Sequence, residues 1–419
     1  MQKRHWYPLD NAANIYPIIE RRTWTPMFRI TAVLHEDVRR DALQRALDQM
    51  RPRFPTFYVQ RKSGLFWYFL EELPVRALVE EDTINPCPPL RKGELPFRVK
   101  THHNRVSCEF AHVVCDGGAG MTFVKTLLAA YARELGVSVP VKNGILDLSE
   151  PPHPEEVEDG FSRFSRMGVR AKRHEPYAYH PTGTRLHEGM RVVTTGVLNV
   201  QAALKLSRSY KVSLTEYLTA TLIYVLYSMQ QVENVKNPRP VKVSVPVNLR
   251  KYYPTQTLRN FSQYLNPGID PNYGEFTFEE TLEQVHHYFR YMFTEKNMNA
   301  RISKNVADER NVALRVVPLF LKRPSIRLVY EMTGERVFSS VISNLGAVEL
   351  PPALRDVVER FDFLLCTARR NAVECAVASY QDQLSITFTR SIAEPYVERA
   401  FFRTLVQKGL HVRVESNQP

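Results

Sequence analysis

The segment FAHVVCDGGAG, residues 110–120, carries a mostly apolar run into His112 and places Asp116 four residues later, next to two glycines. The apolar run before His112 predicts a strand. Beyond Gly117, apolar residues recur every three or four positions, which predicts an amphipathic helix. The histidine and the aspartate are therefore expected at the two ends of a strand-to-helix turn.

This turn has two interpretations. A histidine at the end of a strand can offer one ring nitrogen to a substrate and act as a general base. Asp116 can cap backbone N–H groups or pair with an arginine, and Gly117 lets the chain turn tightly and pack closely. Alternatively, His112 is a core residue with satisfied hydrogen bonds, and Asp-Gly is an ordinary turn.

The composition is typical of a soluble globular protein. Its 419 residues are too many for one ordinary core, so two domains are expected. Hydrophobic residues at 44% and charged residues at 24% exclude a disordered or fibrous chain. The opening segment MQKRHWYPLDNAANIYP lacks the apolar stretch of a secretory signal. No run approaches the roughly 20 apolar residues of a membrane span. We therefore expect a cytoplasmic protein without a membrane span.

The charged and metal-ligating residues narrow the possible partners. Five cysteines without a C-x-x-C pair predict free thiols in a reducing compartment. The net charge of +12 suits an anionic partner such as coenzyme A and serves solubility equally well. The basic residues are spread out, with no nucleic-acid motif, so no nucleic acid is expected. The pairs His102-His103 and His286-His287 each point in diverging directions on a strand or helix, so we predict no metal site.

Periodicity predicts an α/β protein, an α+β sandwich, built from two similar units. The first unit, residues 1–150, is predicted as strand, helix, hairpin, hairpin and helix. Residues 151–190, rich in proline, glycine and charge, are predicted to be a crossover linker. The second unit, residues 191–419, combines strands with helices. One of these helices is opened by a capping box of Ser213 and Glu216.

The pattern H-x-x-x-D-G between a strand and a helix resembles the chloramphenicol-acetyltransferase-like superfamily. That group includes condensation domains, plant acyltransferases and alcohol O-acetyltransferases. VSVPVNLR at 243–250 is similar to the strand whose arginine pairs with the motif's aspartate. LRNFSQYLN at 258–266 is similar to the Asn-Phe segment that follows, and ISNLG at 342–346 to a channel-lining strand. With WYPLDNAANIYP at 6–17, the chain most resembles bacterial alcohol O-acetyltransferase-like proteins.

The resemblance implies two chloramphenicol-acetyltransferase-like domains with a channel between them. It implies that His112 is the general base near the middle of that channel. Asp116 and Gly117 would keep the histidine loop in shape, and Arg250 would pair with Asp116 as a structural partner.

A strand of the second domain would line the channel opposite the histidine, and the resemblance implies that Ser343 and Asn344 are its lining residues. The crossover linker is expected to lie outside the seam, that is, the boundary between the two domains. Condensation domains usually carry a second histidine just before the catalytic one, where this chain has Ala111. That departure argues against peptide-bond condensation. The Asp-Phe-Gly-Trp-Gly element of the plant enzymes is absent, and SNLG at 343–346 is the nearest substitute.

The implied activity is that of an acyl-CoA-dependent O-acyltransferase, which moves an acyl group, in the first place acetyl, to a hydroxyl-bearing small molecule. Acyl-CoA would be a co-substrate, with no permanently bound cofactor and no metal. Two alternatives stay open. The donor could instead be carried by an acyl carrier protein, as in natural-product biosynthesis, or the chain could be a non-catalytic binding protein of the same fold.

Overall fold

The computed structural model describes residues 4–22, 24–169, 175–310, 316–368 and 370–418. The strands within these ranges, β1 to β16 in chain order, are Trp6–Pro8, Met27–Leu34, Val59–Ser63, Tyr68–Glu72, Val79–Glu81, Phe97–His102, Arg105–Ala111, Val192–Asn199, Val241–Asn248, Ser262–Leu265, Gly268–Ile269, Ser340–Ala347, Val358–Leu365, Val373–Tyr380, Gln383–Arg390 and Arg413–Ser416. The α-helices, α1 to α10, are Tyr16–Ile19, Arg40–Asp48, Gly117–Glu134, Gly160–Phe164, Val200–Ser209, Leu214–Val232, Phe278–Met292, Glu295–Arg310, Leu319–Thr333 and Tyr396–Gln407. Short 3-10 helices lie between several of these elements.

Three sheets organise the strands, which confirms the predicted α/β class. The first is five-stranded, with the order β13-β2-β7-β6-β5. The second is eight-stranded, with the order β10-β9-β12-β14-β15-β8-β16, and β11 pairs with β9. A small third sheet, β1-β4-β3, contains the first predicted hairpin, and β6-β7 is the second.

Strand β13 connects the two halves of the chain, because it comes from the second half but completes the sheet of the first. It runs antiparallel to β2, with Phe363 opposite Ile30, and it also contacts β14 and β15 of the eight-stranded sheet. Ser385 on β15 donates to the carboxylate of Asp362 on β13 over 2.9 Å. The two large sheets therefore pack on each other through this strand.

Each large sheet has its own hydrophobic core. The five-stranded sheet packs against α2 and α3, whereas one face of the eight-stranded sheet packs against α5, α6, α7 and α10. Alternation along β14 serves both cores, because Ala376 faces the first and Val377 the second. Helix α6 begins with the predicted capping box, in which Ser213 Oγ accepts from Glu216 N and the Glu216 carboxylate accepts from Ser213 N.

The crossover lies partly within the seam, contrary to expectation. Glu156 forms a buried ion pair with Arg53 of the first half, and its carbonyl accepts from the backbone N–H of Leu258 in the second half (2.8 Å). Glu158 accepts from the hydroxyl of Thr255 (2.7 Å). Glu156 and Glu158 therefore tie the described part of this segment to both halves.

The described residues contain neither a membrane-spanning helix nor a cluster of metal ligands. None of their helices is both long enough and apolar enough to cross a membrane. Among the same residues, no group of three or more His, Cys, Asp or Glu side chains is arranged to hold a metal ion.

Candidate active site

The loop from His112 to Asp116 joins the end of β7 to the start of α3. The backbone N–H of His112 donates to the carbonyl of Pro26 (2.9 Å), which fixes the loop against the segment before β2. Asp116 is the N-cap of α3, and its Oδ1 accepts from the backbone N–H of Ala119 (3.1 Å). Hydrogen bonds therefore fix both ends of the loop, in the strand-to-helix turn that the sequence predicts.

The imidazole of His112 lies between two aromatic rings. It stacks on Tyr16, with ring centroids 5.2 Å apart and planes 23° apart, and contacts Phe28 at 4.8 Å. Burial lowers the pKa of His112 to about 4, although the charge of Asp116 opposes this shift. Nδ1 is buried and has no hydrogen-bond partner among the described residues, and the residue as a whole is half-buried. A neutral imidazole can accept a proton.

Asp116 and Arg250 meet, as the resemblance implies. Arg250 lies in a 3-10 helix directly after β9, and its Nη1 donates to Asp116 Oδ2 over 2.8 Å. Burial alone would raise the pKa of Asp116, but the guanidinium and the backbone N–H of Phe261 (2.7 Å) hold it below its usual range. The remaining guanidinium nitrogens of Arg250 donate to the carbonyls of Thr257 (2.8 Å) and Arg259 (2.5 Å). These contacts hold both members of the pair in place.

The two glycines of the motif are the points where the second half approaches the loop. A Cβ on Gly117 would lie 2.8 Å from Cδ2 of Leu345 on β12. One on Gly118 would lie 3.2 Å from the amide nitrogen of Asn248 and 3.4 Å from Nη1 of Arg250. Larger residues here would push the second half away from the histidine loop.

Ser343 and Asn344 lie on opposite faces of β12. Ser343 is in register with Ala376, which faces the core of the first half. Asn344 is on the other face, where its amide donates to the hydroxyl of Thr215 on α6 (2.9 Å) and its carbonyl oxygen accepts from the N–H of Gly346 (2.8 Å). Of the two residues, Ser343 is the one directed toward the side of the sheet that faces the first half.

Two polar residues that sequence reasoning did not single out complete the support of the loop. Asn260 donates from Nδ2 to the carbonyl oxygen of His112 (2.8 Å) and to Oδ2 of Asp10 (3.1 Å). Both residues fall in segments that carry the family resemblance, but only the folded chain shows that the two segments meet. Asn260 and its neighbour Phe261 hold the two ends of the loop, through His112 and Asp116 respectively.

Tyr16, which stacks on His112, belongs to a group of three tyrosines. Burial raises the pKa of Tyr264, although 39% of its surface is accessible to solvent. Burial raises the pKa values of Tyr16 and Tyr330 as well, and both phenols interact electrostatically with Tyr264. The three side chains therefore lie close together.

Tyr330 also lines a cavity of ≈ 570 Å³. The first half, the crossover region and the second half all contribute to its wall, which includes Ile19, Trp24, His187, Gly189, Glu335 and Thr367. Of the three tyrosines, Tyr330 is the one on this wall, and His112 is not among the described residues that line the cavity.

Comparisons with known proteins show the fold. No protein-family model matches the chain, and no curated protein sequence matches it. Among solved structures, polyketide synthase associated protein 5 from Mycobacterium tuberculosis has a TM-score of 0.61 at 16% identity, covering 96% of each chain. TRI3 trichothecene 15-O-acetyltransferase from Fusarium sporotrichioides has a TM-score of 0.62 at 9% identity, covering 97% of this chain and 94% of that one.

A third similar structure is the starter condensation domain of rhizomide synthetase RzmA in complex with C8-CoA. Its TM-score is 0.57 at 12% identity, with 96% of this chain and 95% of that chain covered. These similarities extend over nearly the whole chain. They show that it has the two-domain fold shared by condensation domains and chloramphenicol-acetyltransferase-like acyltransferases.

Proposed function

We propose that this protein is an acyltransferase that moves an acyl group from a thioester to a hydroxyl, with His112 as general base. The observation that carries the proposal is the state of His112. Its imidazole is held between the rings of Tyr16 and Phe28, and burial lowers its pKa to about 4, so the ring is neutral at pH 7. A neutral imidazole fits proton abstraction from an alcohol.

The proposed reaction uses His112 as the base. Nε2 of His112 accepts the hydroxyl proton of the acceptor while the oxygen attacks the thioester carbonyl. The tetrahedral intermediate then breaks its C–S bond, and the imidazolium returns the proton to the departing thiolate. General-base assistance of this kind is worth about 10²–10⁴-fold, and alignment of the two substrates supplies a further part of the acceleration. Asp116 takes no part in proton transfer, because Arg250 and two backbone N–H groups already engage its oxygens.

Acyl-CoA is the donor that we propose. The net charge of +12 favours an anionic donor, and a structure of the same fold was solved in complex with C8-CoA. All five cysteines are buried and unpaired, which agrees with the cytoplasmic location that we propose. The acceptor is a hydroxyl-bearing small molecule.

A carrier-protein thioester is the second candidate donor, because condensation domains are among the structures that share the fold. Ala111, in place of the second histidine of condensation domains, favours ester formation over peptide-bond formation in either case.

A comparison of acyl donors tests the proposal. The full chain is incubated with an alcohol panel and either acetyl-CoA, octanoyl-CoA or the same acyl groups on a carrier protein. Thiol release and ester mass are then measured. We expect an ester from acyl-CoA that His112→Ala does not form and His102→Ala forms normally, since the His102 ring is exposed on the β6–β7 hairpin. Ester from the carrier protein alone would select the second donor. Absence of thiol release with every donor would overturn the acyltransferase proposal.

A further inference from the structure

The carboxylate of Asp10 is fully buried in the segment that precedes α1. Its Oδ1 accepts from the backbone N–H of Ala13 over 2.8 Å. This bond fixes the 3-10 turn Ala13–Ile15, which continues directly into α1 and Tyr16. Because Tyr16 stacks on His112, the first oxygen of Asp10 sets the position of one aromatic wall of the active site.

The second oxygen of Asp10 is linked to the backbone of the histidine loop through Asn260. Oδ2 accepts from Nδ2 of Asn260 (3.1 Å) and from its backbone N–H (3.3 Å). The same Nδ2 donates to the carbonyl oxygen of His112 (2.8 Å). One carboxylate thus reaches His112 by two routes, through Tyr16 to the ring and through Asn260 to the backbone.

Arg259 gives Asp10 its charge partner. Its Nε lies 3.5 Å from Oδ2, and both side chains are almost entirely buried. Its Nη2 donates to the carbonyl of Pro8 (2.8 Å), and its own carbonyl accepts from Arg250. Asp10 is therefore joined through one residue to the pair of Arg250 and Asp116.

We propose that Asp10 is a positioning residue of the acyl-transfer reaction, whose carboxylate holds His112 in its reactive orientation through Tyr16 and Asn260. This inference rests on the proposed function. Asp10 does not touch the reacting atoms and is not a catalytic residue. This role requires that both oxygens of residue 10 accept hydrogen bonds, since Ala13 donates to one and Asn260 to the other. An asparagine side chain has one acceptor oxygen and one donor NH₂ group, so it can accept from only one of these two donors.

The ionisation of Asp10 gives this role a pH signature. Burial raises its pKa to about 6, against the attraction of Arg259. The other charged and titratable groups that face it are Asp159, Tyr16 and Cys115. Burial keeps the pKa values of Tyr16 and Cys115 well above their usual ranges, so neither loses a proton near pH 6. Protonation of Asp10 weakens its hold on Asn260, and kcat is expected to fall to a lower plateau as the pH drops through about 6.

The test compares Asp10→Asn with Asp270→Asn. Asp270 likewise accepts a backbone N–H at a 3-10 turn, that of Asn272 (3.0 Å), and none of its contacts among the described residues is with the histidine loop. We expect Asp10→Asn to lower kcat on the order of 10- to 100-fold with little change in the KM for acyl-CoA. It should also remove the inflection near pH 6, whereas Asp270→Asn keeps wild-type values. An Asp10→Asn enzyme with the kcat and pH profile of Asp270→Asn would overturn the proposal.

A second variant covers the case in which Asp10→Asn does not fold. Asn260→Ala removes the link to His112 while Asp10 and Arg259 remain paired. We expect the same loss of kcat and the same loss of the inflection. If Asn260→Ala kept wild-type kcat, or if the wild-type enzyme showed no inflection near pH 6, the proposal would be wrong.

A measurement without substrate separates this inference from the proposed function. Diethyl pyrocarbonate modifies neutral imidazoles, and mass spectrometry gives the rate for each histidine peptide. We expect the rate at His112 to rise on the order of tenfold in Asp10→Asn as the ring loses its fixed position, while the rate at exposed His102 stays constant. Equal His112 rates in wild type and variant would overturn the positioning role even if acyl transfer is observed. If the His112 rate rose in Asp10→Asn but the wild-type protein showed no transferase activity, the positioning role would stand and the proposed reaction would be wrong.

Discussion

Arg250 donates from Nη1 to Oδ2 of Asp116 over 2.8 Å, although the two residues are 134 positions apart in the chain. The first is supplied by the second half of the protein and the second by the histidine loop. Both side chains are largely buried, so water compensates either charge poorly when the other is absent. The pair therefore fixes the histidine loop to the second half.

Removing one member of this pair should destabilise the protein. We expect Asp116→Asn and Arg250→Ala each to lower the free energy of unfolding by about 3–5 kcal/mol, because each leaves a buried charge without its partner. Activity should fall as well. The double variant should cost less than the sum of the two, which a double-mutant cycle from denaturant unfolding measures. The exposed pair Lys304–Asp308 within α8 is the control, with an expected coupling of only about 0.3–0.5 kcal/mol. Strictly additive losses at Asp116 and Arg250 would show that the pair is not formed.

A methyl group at Gly117 should separate the halves at the histidine loop. The Cβ of Gly117→Ala would lie 2.8 Å from Cδ2 of Leu345, so that side chain must move. We expect a loss of about 1–3 kcal/mol in unfolding free energy, together with reduced kcat. The double variant Gly117→Ala/Leu345→Ala should recover part of the activity lost in Gly117→Ala, and Leu345→Ala alone is the matched control. If Gly117→Ala had wild-type stability and kcat, the close approach of β12 would be contradicted.

The histidine loop could be predicted from the sequence because its signals are local. The apolar strand, the Asp-Gly turn and the helical periodicity all lie within residues 105–134, and β7 and α3 form there. The partner of Asp116 came from the family resemblance of VSVPVNLR, since no local rule links residues 134 apart.

The support of His112 could not be predicted in the same way. Asp10 and Asn260 are 250 residues apart, and their hydrogen bond depends on how the N-terminal segment packs against the loop before β10. The sheet to which β13 belongs could not be predicted either, because its apolar sequence predicts a strand but does not indicate which sheet the strand joins. Only the pairing of Phe363 with Ile30 places it beside β2.

The pH dependence of stability should report the buried state of His112. Its pKa is about 4 in the folded protein, below the ordinary value of about 6.5 in the unfolded chain. Between these pH values the unfolded chain binds a proton that the folded protein does not. The contribution of His112 to the free energy of unfolding is therefore complete above about pH 6.5 and declines as the pH falls toward 4. Chemical unfolding measures the free energy of unfolding of the wild type and of His112→Gln. The stability of the wild type relative to the variant should fall as the pH is lowered from 7 to 4. A difference independent of pH would mean that His112 has an ordinary pKa.

Loss of the imidazole should reduce the rate of transfer at least a hundredfold, by order of magnitude, while the fold is kept. His112→Ala removes the proposed base but leaves the contacts of its backbone, in which the N–H donates to Pro26 and the carbonyl accepts from Asn260. We expect kcat to fall by about 10²–10⁴-fold, with acyl-CoA affinity nearly unchanged, because the ring acts at the proton-transfer step. Calorimetric titration with a non-hydrolysable acyl-CoA analogue measures the affinity, and thiol release measures the rate. His102→Ala, at an exposed histidine, should match the wild type in both. A His112→Ala enzyme that retained more than about a tenth of wild-type kcat would be incompatible with a general base worth at least 10²-fold.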